Sequence, residues 1–235
     1  MAGRIWLIDV ARTLALIGMV AFHLVFDLQL FGFLPPGTSV NGVFYWHARM
    51  VAGSFLFLAG VSLWLAHGQG VRWGAFWRRW LRLALAAALV SAATRVAMGE
   101  AWVFFGILHS IALSSLLGLA FLRLPAALTL LLGGAVMAAS YVLPGLLQLD
   151  APALRFLGLS LLPTYTVDFE PLFPWFGPFL LGLGLARLAG PLWPRLAALR
   201  GPASLGWPGR HSLAIYLIHQ PVLMALVWAA AALMR

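Results

Sequence analysis

The sequence predicts an all-α, polytopic integral membrane protein: a helical bundle of about seven transmembrane helices with a cytoplasmic N-terminus. Three observations support this prediction, and the first two concern composition: 63% of the 235 residues are hydrophobic, and only 9% are charged. An ordinary soluble domain carries roughly 25% charged residues. The third observation is a succession of apolar runs, each close to the ~20 residues that cross the hydrocarbon core of a bilayer.

The apolar runs follow one another along a single domain, which we predict to cover residues 1–235. The runs are Trp6–Phe33, Val43–Ala66, Leu81–Met98, Val103–Leu122, Ala126–Leu143, Leu172–Leu188 and His211–Met234. Two prolines and two glycines in residues 34–42 end the first helix before the second. Residues 67–82 are basic and rich in tryptophan, which is typical of a membrane interface. The longest connection, 144–171, holds three of the six acids, so we expect a functional or disordered loop there.

The charged residues set the predicted orientation of the bundle. Those on one side are Arg4, Arg72, Arg78, Arg79, Arg82, Arg123, Arg187, Arg195, Arg200 and Arg210. Those on the other side are Glu100, Asp150, Arg155, Asp168, Glu170 and Arg235. By the positive-inside rule the arginine-rich side is cytoplasmic. The same rule explains the formal charge of +9 without a nucleic-acid partner.

Several absences from the sequence narrow the chemistry. The chain has no cysteine, so it has no disulfide, thiolate metal site or cysteine nucleophile. No two histidines are spaced i,i+3 or i,i+4 on one helix, so we predict no metal site. The sequence contains no G-x-S-x-G, P-loop or dinucleotide-binding fingerprint. Asp9 and Arg12 interrupt the first apolar run, which is also too long for the apolar core of a cleavable signal peptide.

The first apolar run carries a polar stripe. At about 100° per residue, Asp9, Arg12, His23 and Asp27 fall within a sector of roughly 60° on a helix. Ionisable groups at membrane depth face protein or water and usually mark a functional site. Asp9 and Arg12 are spaced to form an ion pair at i,i+3. His23 and Asp27, at i,i+4, are spaced to form a carboxylate–imidazole pair, although such a pair also serves merely to join helices.

Three other spans contribute histidines: His47, His109 and His219. An imidazole at membrane depth that bonds a carbonyl of a neighbouring helix has a structural role, and this is the alternative for each of them. We expect two further acids, Asp168 and Glu170, to lie over the outer mouth of the bundle. The arginines near residues 72–82 are explained by the positive-inside rule alone, so ligand binding by them is an additional hypothesis.

The residues resemble a known family. The stretch DVARTLALIGMVAFH, with Asp9, Arg12 and His23, resembles the opening motif of membrane acyltransferases. Further stretches are similar to the bacterial relatives of heparan-alpha-glucosaminide N-acetyltransferase. These are SFLFLAGVSLWLA (Ser54–Ala66), FFGILHSIALSSLLGL (Phe104–Leu119), VDFEPLFPWFGPFLLG and GRHSLAIYLIHQPVL (Gly209–Leu223). Together they cover most of the chain in the family's order.

The resemblance implies transfer of an acetyl group from cytoplasmic acetyl-CoA to an amino sugar or hydroxyl of an envelope glycan across the bacterial inner membrane. The expected partners are that glycan and the lipid bilayer, with homo-oligomerisation left open. An imidazole is a suitable base or nucleophile near neutral pH. The expected catalytic residues are His23, Asp27, His109 and His219. Acetyl-CoA is expected to bind Arg12, Arg72, Arg78 and Arg79, and the acceptor to bind Asp168, Glu170 and His47.

Two other functions fit the same residues. In a proton-coupled transporter the histidines and acids would relay protons, and no acetyl-CoA would bind. In a non-catalytic membrane subunit the histidines would only join helices. Acetyl transfer by purified protein separates the three.

Overall fold

The computed structural model describes residues 4–147 and 149–234, and within them the protein is all-α. The helices are α1 (Trp6–Leu30), α2 (Gly42–His67), α3 (Trp73–Met98), α4 (Ile107–Phe121), α5 (Ala126–Leu147), α6 (Leu172–Leu188), α7 (Trp193–Ala198), α8 (Ala203–Arg210) and α9 (Ser212–Leu233). The only β-type pairing in the described residues is an isolated parallel bridge between Phe105 and Phe169. Arg235, which entered the charge count, lies outside the described residues, as do residues 1–3 and 148 of the predicted domain.

Two helix starts differ from the prediction by more than one residue. The basic, tryptophan-rich segment predicted to lie at the interface belongs largely to α3, which begins at Trp73 rather than Leu81. Residues 73–82 contain no proline, so nothing in the backbone stops the helix from extending. Helix α4 begins at Ile107 rather than Val103, because residues 101 and 105 accept backbone hydrogen bonds from the segment 167–170.

Five helices of the described chain are long and apolar enough to cross a membrane: α1, α2, α3, α5 and α9. A sixth span is counted if Leu172–Leu188 and Gly190–Ala198 together form one broken crossing. Helix α4 is apolar but has only 15 residues, which is shorter than the ~20 that span a bilayer core. The polytopic class is therefore confirmed, whereas the number seven and the side of the N-terminus stay predictions.

The chain divides into two compact units. The first, here called the terminal unit, combines the N-terminal residues up to 54 with the residues from 192 onwards, and the second, the central unit, is Phe55–Pro191. The terminal unit contains α1, the first half of α2 and α7–α9. The central unit contains the second half of α2 and α3–α6. The single domain predicted for residues 1–235 stays a prediction.

In the terminal unit, α8 packs directly on the beginning of α1. A Cβ on Gly209 would lie only 1.9 Å from the carbonyl oxygen of Asp9, so the two backbones meet where no other side chain fits. The hydroxyl of Thr13 accepts a hydrogen bond from the Gly209 N–H at 3.0 Å and donates to the Leu205 carbonyl at 2.8 Å. Helix α9 also packs against α1.

In the central unit, α2 and α6 approach at paired glycines. A Cβ on Gly60 would lie 2.0 Å from the carbonyl oxygen of Phe179, and one on Gly182 would lie 2.0 Å from that of Phe57. Small residues at such crossings are typical of helix packing in membranes. Phe179, like its neighbours Leu180 and Leu183 on α6, is completely buried, so α6 supplies the core of this unit.

Candidate active site

Two imidazoles meet in the terminal unit. The ring centroids of His23 on α1 and His219 on α9 lie 4.8 Å apart, with the ring planes at 65°. Nδ1 of His219 lies 2.6 Å from the carbonyl oxygen of Tyr216. Because a carbonyl oxygen only accepts, this nitrogen carries the proton, and Nε2 of the neutral ring keeps its lone pair. The pair therefore includes an imidazole nitrogen that is able to accept a proton.

A carboxylate lies one helical turn beyond His23. Asp27 is fully buried, and its Oδ1 accepts a hydrogen bond of 2.7 Å from Nε2 of Gln220 on α9. The i,i+4 spacing predicts His23 as the partner of Asp27, but the structure gives the carboxylate to Gln220 instead. The residue directly after His219 thus holds the acid, while His23 packs against its histidine neighbour.

Four buried polar atoms of this group lack a hydrogen-bond partner among the described residues. They are Nδ1 of His23, Oδ2 of Asp27, Nε2 of His219 and Oε1 of Gln220. Leaving a buried donor or acceptor unpaired costs about 1–3 kcal/mol, and such groups are rare enough in folded proteins to require an explanation. Their concentration on facing turns of α1 and α9 identifies this cluster, hereafter the histidine pair with Asp27 and Gln220, as the candidate active site.

Asp9 and Arg12 form the ion pair that their spacing predicts. Oδ1 of Asp9 lies 3.1 Å from Nη1 of Arg12, and Oδ2 lies 2.6 Å from Nε of Arg4. The Asp9 side chain is only 3% exposed, so the two guanidinium groups are what satisfy it. Arg12, predicted to bind acetyl-CoA, is thus also part of the packing of the first turns of α1.

His47 contacts backbone rather than another ionisable group. Its Nε2 lies 2.8 Å from the carbonyl oxygen of Gly18 and donates to it, which ties α2 to α1 within the terminal unit. A Cβ on Gly18 would lie 2.8 Å from Val51, so the helices are close here. This contact is the structural alternative considered for a membrane-buried histidine.

His109 in the central unit has partners for both ring nitrogens. Nδ1 accepts the backbone N–H of Gly106 at 3.2 Å, at the start of α4. Nε2 therefore carries the proton and donates to the hydroxyl of Ser91 at 3.2 Å, and that hydroxyl donates to the Val103 carbonyl at 2.7 Å. The chain of bonds joins α3, α4 and the segment between them. Sequence reasoning missed Ser91, which lies 18 residues away on α3.

Asp168 and Glu170 hold the beginning of α4 from the long connection. Oδ2 of Asp168 accepts the backbone N–H of Ile107 at 3.3 Å, which satisfies one of the free donors at the helix start. Burial raises the pKa of Asp168 to about 6, and the hydrogen bond from Ile107 opposes that rise. The Glu170 N–H donates to the Phe105 carbonyl at 3.1 Å. Both acids lie in the segment that forms the bridge to residues 101–107.

Three of the four arginines predicted to bind acetyl-CoA lie on and just before the first turns of α3, whereas Arg12 lies on α1. Arg72 and Arg78 are exposed, whereas Arg79 is half-buried. The side chain of Arg72 donates to the Ala66 carbonyl at 3.1 Å. The described residues contain no group of three or more histidine, aspartate or glutamate side chains positioned to hold a metal ion.

A comparison with protein-family models identifies a family. The model described as "Heparan-alpha-glucosaminide N-acetyltransferase, catalytic" matches residues 4–221. The matched region includes all four residues of the candidate active site, His23, Asp27, His219 and Gln220. No curated protein and no solved structure matches the chain.

Proposed function

We propose that this chain, which belongs to the heparan-alpha-glucosaminide N-acetyltransferase catalytic family, moves an acetyl group from acetyl-CoA to an amino sugar or hydroxyl of an envelope glycan. Family membership and the apolar helices make the protein a multi-pass membrane acetyltransferase. To this the proposal adds the acetyl donor, the class of acceptor and the side of the membrane from which each substrate enters. Acetyl-CoA enters from the cytoplasm, and the glycan is presented on the far side of a bacterial inner membrane.

One observation carries the proposal: in the histidine pair of α1 and α9, each ring has one nitrogen without a partner among the residues that the structure describes. His219 keeps a basic Nε2 because Nδ1 is committed to the Tyr216 carbonyl. Acyl transfer from a thioester needs a group that takes a proton from the attacking amine or hydroxyl, and a correctly placed imidazole does this near neutral pH. We assign the base to this pair.

The step balances without a further reactant. The acceptor nitrogen or oxygen bonds to the acetyl carbonyl carbon, and the carbon–sulfur bond to CoA breaks. The histidine pair takes the proton from the acceptor, and the leaving thiolate of CoA receives a proton. In the alternative route an imidazole attacks first and becomes acetylated, after which the acceptor displaces it.

Asp27 and Gln220 support the pair. Asp27 makes no hydrogen bond to His23 in this structure, so we propose that it stabilises the imidazolium through its negative charge rather than through a fixed tautomer. Gln220 holds Oδ1, while Oδ2 is buried and has no partner among the described residues. Removal of the carboxylate should therefore lower the rate of transfer.

The remaining predicted residues divide into those that bind acetyl-CoA and those with supporting roles. We propose that Arg72, Arg78 and Arg79 bind the phosphates of acetyl-CoA, where charge-assisted hydrogen bonds are strong. As a separate proposal, Arg12 contributes to the binding of acetyl-CoA. His109, His47, Asp168 and Glu170 make contacts within their own units, and we propose supporting roles for all four. For these four residues the proposal differs from the sequence-based expectation, in which His109 was catalytic and the other three bound the acceptor.

The test is acetyl transfer by purified protein in lipid nanodiscs, with labelled acetyl-CoA and glucosamine as the first acceptor. The chain contains no cysteine, so a thiol reagent reports released CoA without background from the protein. We expect release that depends on the acceptor and is lost in His23→Ala and His219→Ala. His211→Ala is the matched control, because that histidine is exposed and bonds the Trp207 carbonyl outside the pair.

Three results would contradict the proposal. Near-normal transfer by folded His23→Ala and His219→Ala proteins would remove the pair from the mechanism. Absence of acetyl-CoA binding under all conditions would remove the donor. Flux of a substrate into proteoliposomes without acetylation would favour the proton-coupled transporter.

A further inference from the structure

The long connection before α6 lines a partly open cavity of about 270 Å³. It lies wholly within the central unit, and the residues that matter for its chemistry are Arg155, Ser160, Leu162, Thr164 and Phe169. Small-molecule pockets usually have ~300–1,000 Å³. This cavity lies just below that range, so its size suits one monosaccharide ring rather than a longer chain.

The cavity contains a cation, Arg155, for which the described part of the chain supplies no partner. Arg155 is half-buried, and its guanidinium group makes no hydrogen bond or ion pair with any residue that the structure describes. The described lining of the cavity includes no acid. A guanidinium group presents five N–H donors in a planar fork that matches a carboxylate or phosphate. The ligand that this charge favours is therefore an anion.

The rest of the lining suits a sugar ring. The Thr164 hydroxyl has no partner among the described residues and supplies a second donor. Ser160 donates to Oδ1 of Asp150 at 2.7 Å and accepts from the Leu162 N–H at 3.1 Å, so only an acceptor lone pair remains for a ligand hydroxyl. The Phe169 ring and the Leu162 side chain supply apolar surface for the C–H face of a sugar.

The cavity walls are held in place by backbone contacts. On one side, Asp150 binds both the Ser160 hydroxyl and the Leu161 N–H. On the other, the Val167 N–H donates to Ala101 at 2.9 Å, and the Phe169 ring lies 5.4 Å from the ring of Phe104. The site is therefore formed before any ligand arrives, which reduces the entropic cost of binding.

We infer that this cavity binds the carboxylate or phosphate group of an anionic sugar, through Arg155 and Thr164. The inference rests on the proposed function in one respect only: it identifies that sugar as part of the acceptor glycan. The reading that competes most closely is binding of a phospholipid headgroup, which offers the same phosphate chemistry.

The experiment is calorimetric titration of the full-length protein in phosphatidylcholine nanodiscs with methyl β-glucuronide and its neutral analogue methyl β-glucoside. We expect the glucuronide to bind more tightly than the glucoside. Arg155→Gln should weaken glucuronide binding by about tenfold or more, because a charge-assisted, bidentate contact is lost. Arg155→Lys, which keeps the charge but not the fork, should fall between the two. Arg195→Gln is the matched control, since it removes the same charge from an exposed site.

Several outcomes would overturn the inference. One is equal affinity for the two sugars, and another is glucuronide binding that is unchanged in Arg155→Gln. If Arg155→Gln does not fold, Thr164→Val takes its place, and unchanged glucuronide binding there would count against the site. Arg155-dependent retention of phosphatidylglycerol with no sugar binding would assign the cavity to a lipid. Binding of the glucuronide needs no acetyl-CoA, so the two proposals are tested separately. Glucuronide binding without acetyl transfer would contradict only the proposed function. Acetyl transfer without Arg155-dependent glucuronide binding would contradict only the proposed cavity site.

Discussion

The histidines of the two units differ in what their ring nitrogens do. In the central unit, His109 accepts from the Gly106 backbone and donates to Ser91, so both nitrogens are used within the fold. In the terminal unit, the ring centroids of His23 and His219 lie 4.8 Å apart, and each ring has a buried nitrogen for which the described residues supply no partner. An imidazole whose hydrogen bonds are complete stabilises structure. One whose bonds are incomplete at a comparable degree of burial is available for chemistry.

The acids of the two units show the same contrast. Asp168 in the central unit accepts a backbone N–H at the start of α4, which is a common way to cap the N-terminus of a helix. Asp27 in the terminal unit is held by the side chain of Gln220, and its second oxygen is buried and unpaired. Both carboxylates therefore depend on a helix from elsewhere in the chain for their position. They differ in the partner, which is a backbone N–H for Asp168 and a side-chain amide for Asp27, and in the second oxygen of Asp27, which has no partner among the described residues.

The largest expected effect tests the functional half of the comparison. His219→Ala should lower the rate of acetyl transfer by about 10²–10⁴-fold, the contribution typical of a general base, and His23→Ala should do the same. Because one nitrogen of each ring has no partner among the described residues, neither change should lower the free energy of unfolding as much as a change at His109. The measurements are CoA release and thermal unfolding on the same nanodisc preparations. A loss of activity that simply tracks a loss of folded protein would erase the contrast.

The second effect tests the structural half. His109→Ala leaves the Gly106 N–H and the Ser91 hydroxyl without their partner, so we expect a loss of about 3 kcal/mol in the free energy of unfolding. His109→Gln should recover part of it, because glutamine at the third helical position also reaches back to the N-cap N–H. Transfer per folded molecule should stay near normal in both. A His109→Ala protein of normal stability that no longer transfers acetyl groups would move His109 into the mechanism.

Much of the fold was predictable because membrane helices are signalled by composition alone. The apolar runs at Ala126 and Leu172 give the starts of α5 and α6 correctly. The start of α4 was not predictable from its own residues. Residues 103–106 are as apolar as the helix that follows, and only pairing with the segment around Phe169 keeps them extended. Contacts between distant segments overrule local hydropathy at such places.

The candidate site was predictable in part. The stripe on α1 predicted His23 and Asp27 as members of one group, and the last span supplied His219. Gln220 was missed, because an uncharged amide beside a histidine gives no signal of its own in one sequence. The prediction that His23 is the partner of Asp27 was wrong because spacing within a helix reveals only neighbours on that helix. The actual hydrogen-bond partner, Gln220, comes from α9.

The third prediction sharpens the role of Gln220. Gln220→Leu removes the hydrogen bond to a buried carboxylate, so it should lower the free energy of unfolding by about 1.5 kcal/mol. Asp27→Asn should reduce this cost, since an amide at position 27 tolerates a missing partner better than a carboxylate does. A double-mutant cycle over the two positions measures the coupling by chemical or thermal unfolding. Additive effects would mean that the two side chains do not depend on each other.

The smallest expected effect concerns Asp168, the acid of the central unit. Its pKa is raised from 3.8 to about 6 by burial, so the folded protein binds the proton more tightly than the unfolded chain does. The resulting stabilisation is present in full below the unfolded pKa and is lost as the pH rises through about 6. The melting temperature of the wild type should therefore fall, relative to that of Asp168→Asn, between pH 4 and pH 7, and stay parallel to it above that interval. Parallel curves throughout would show that the carboxylate titrates normally at the start of α4, and the contrast between the two units would then rest on their histidines alone.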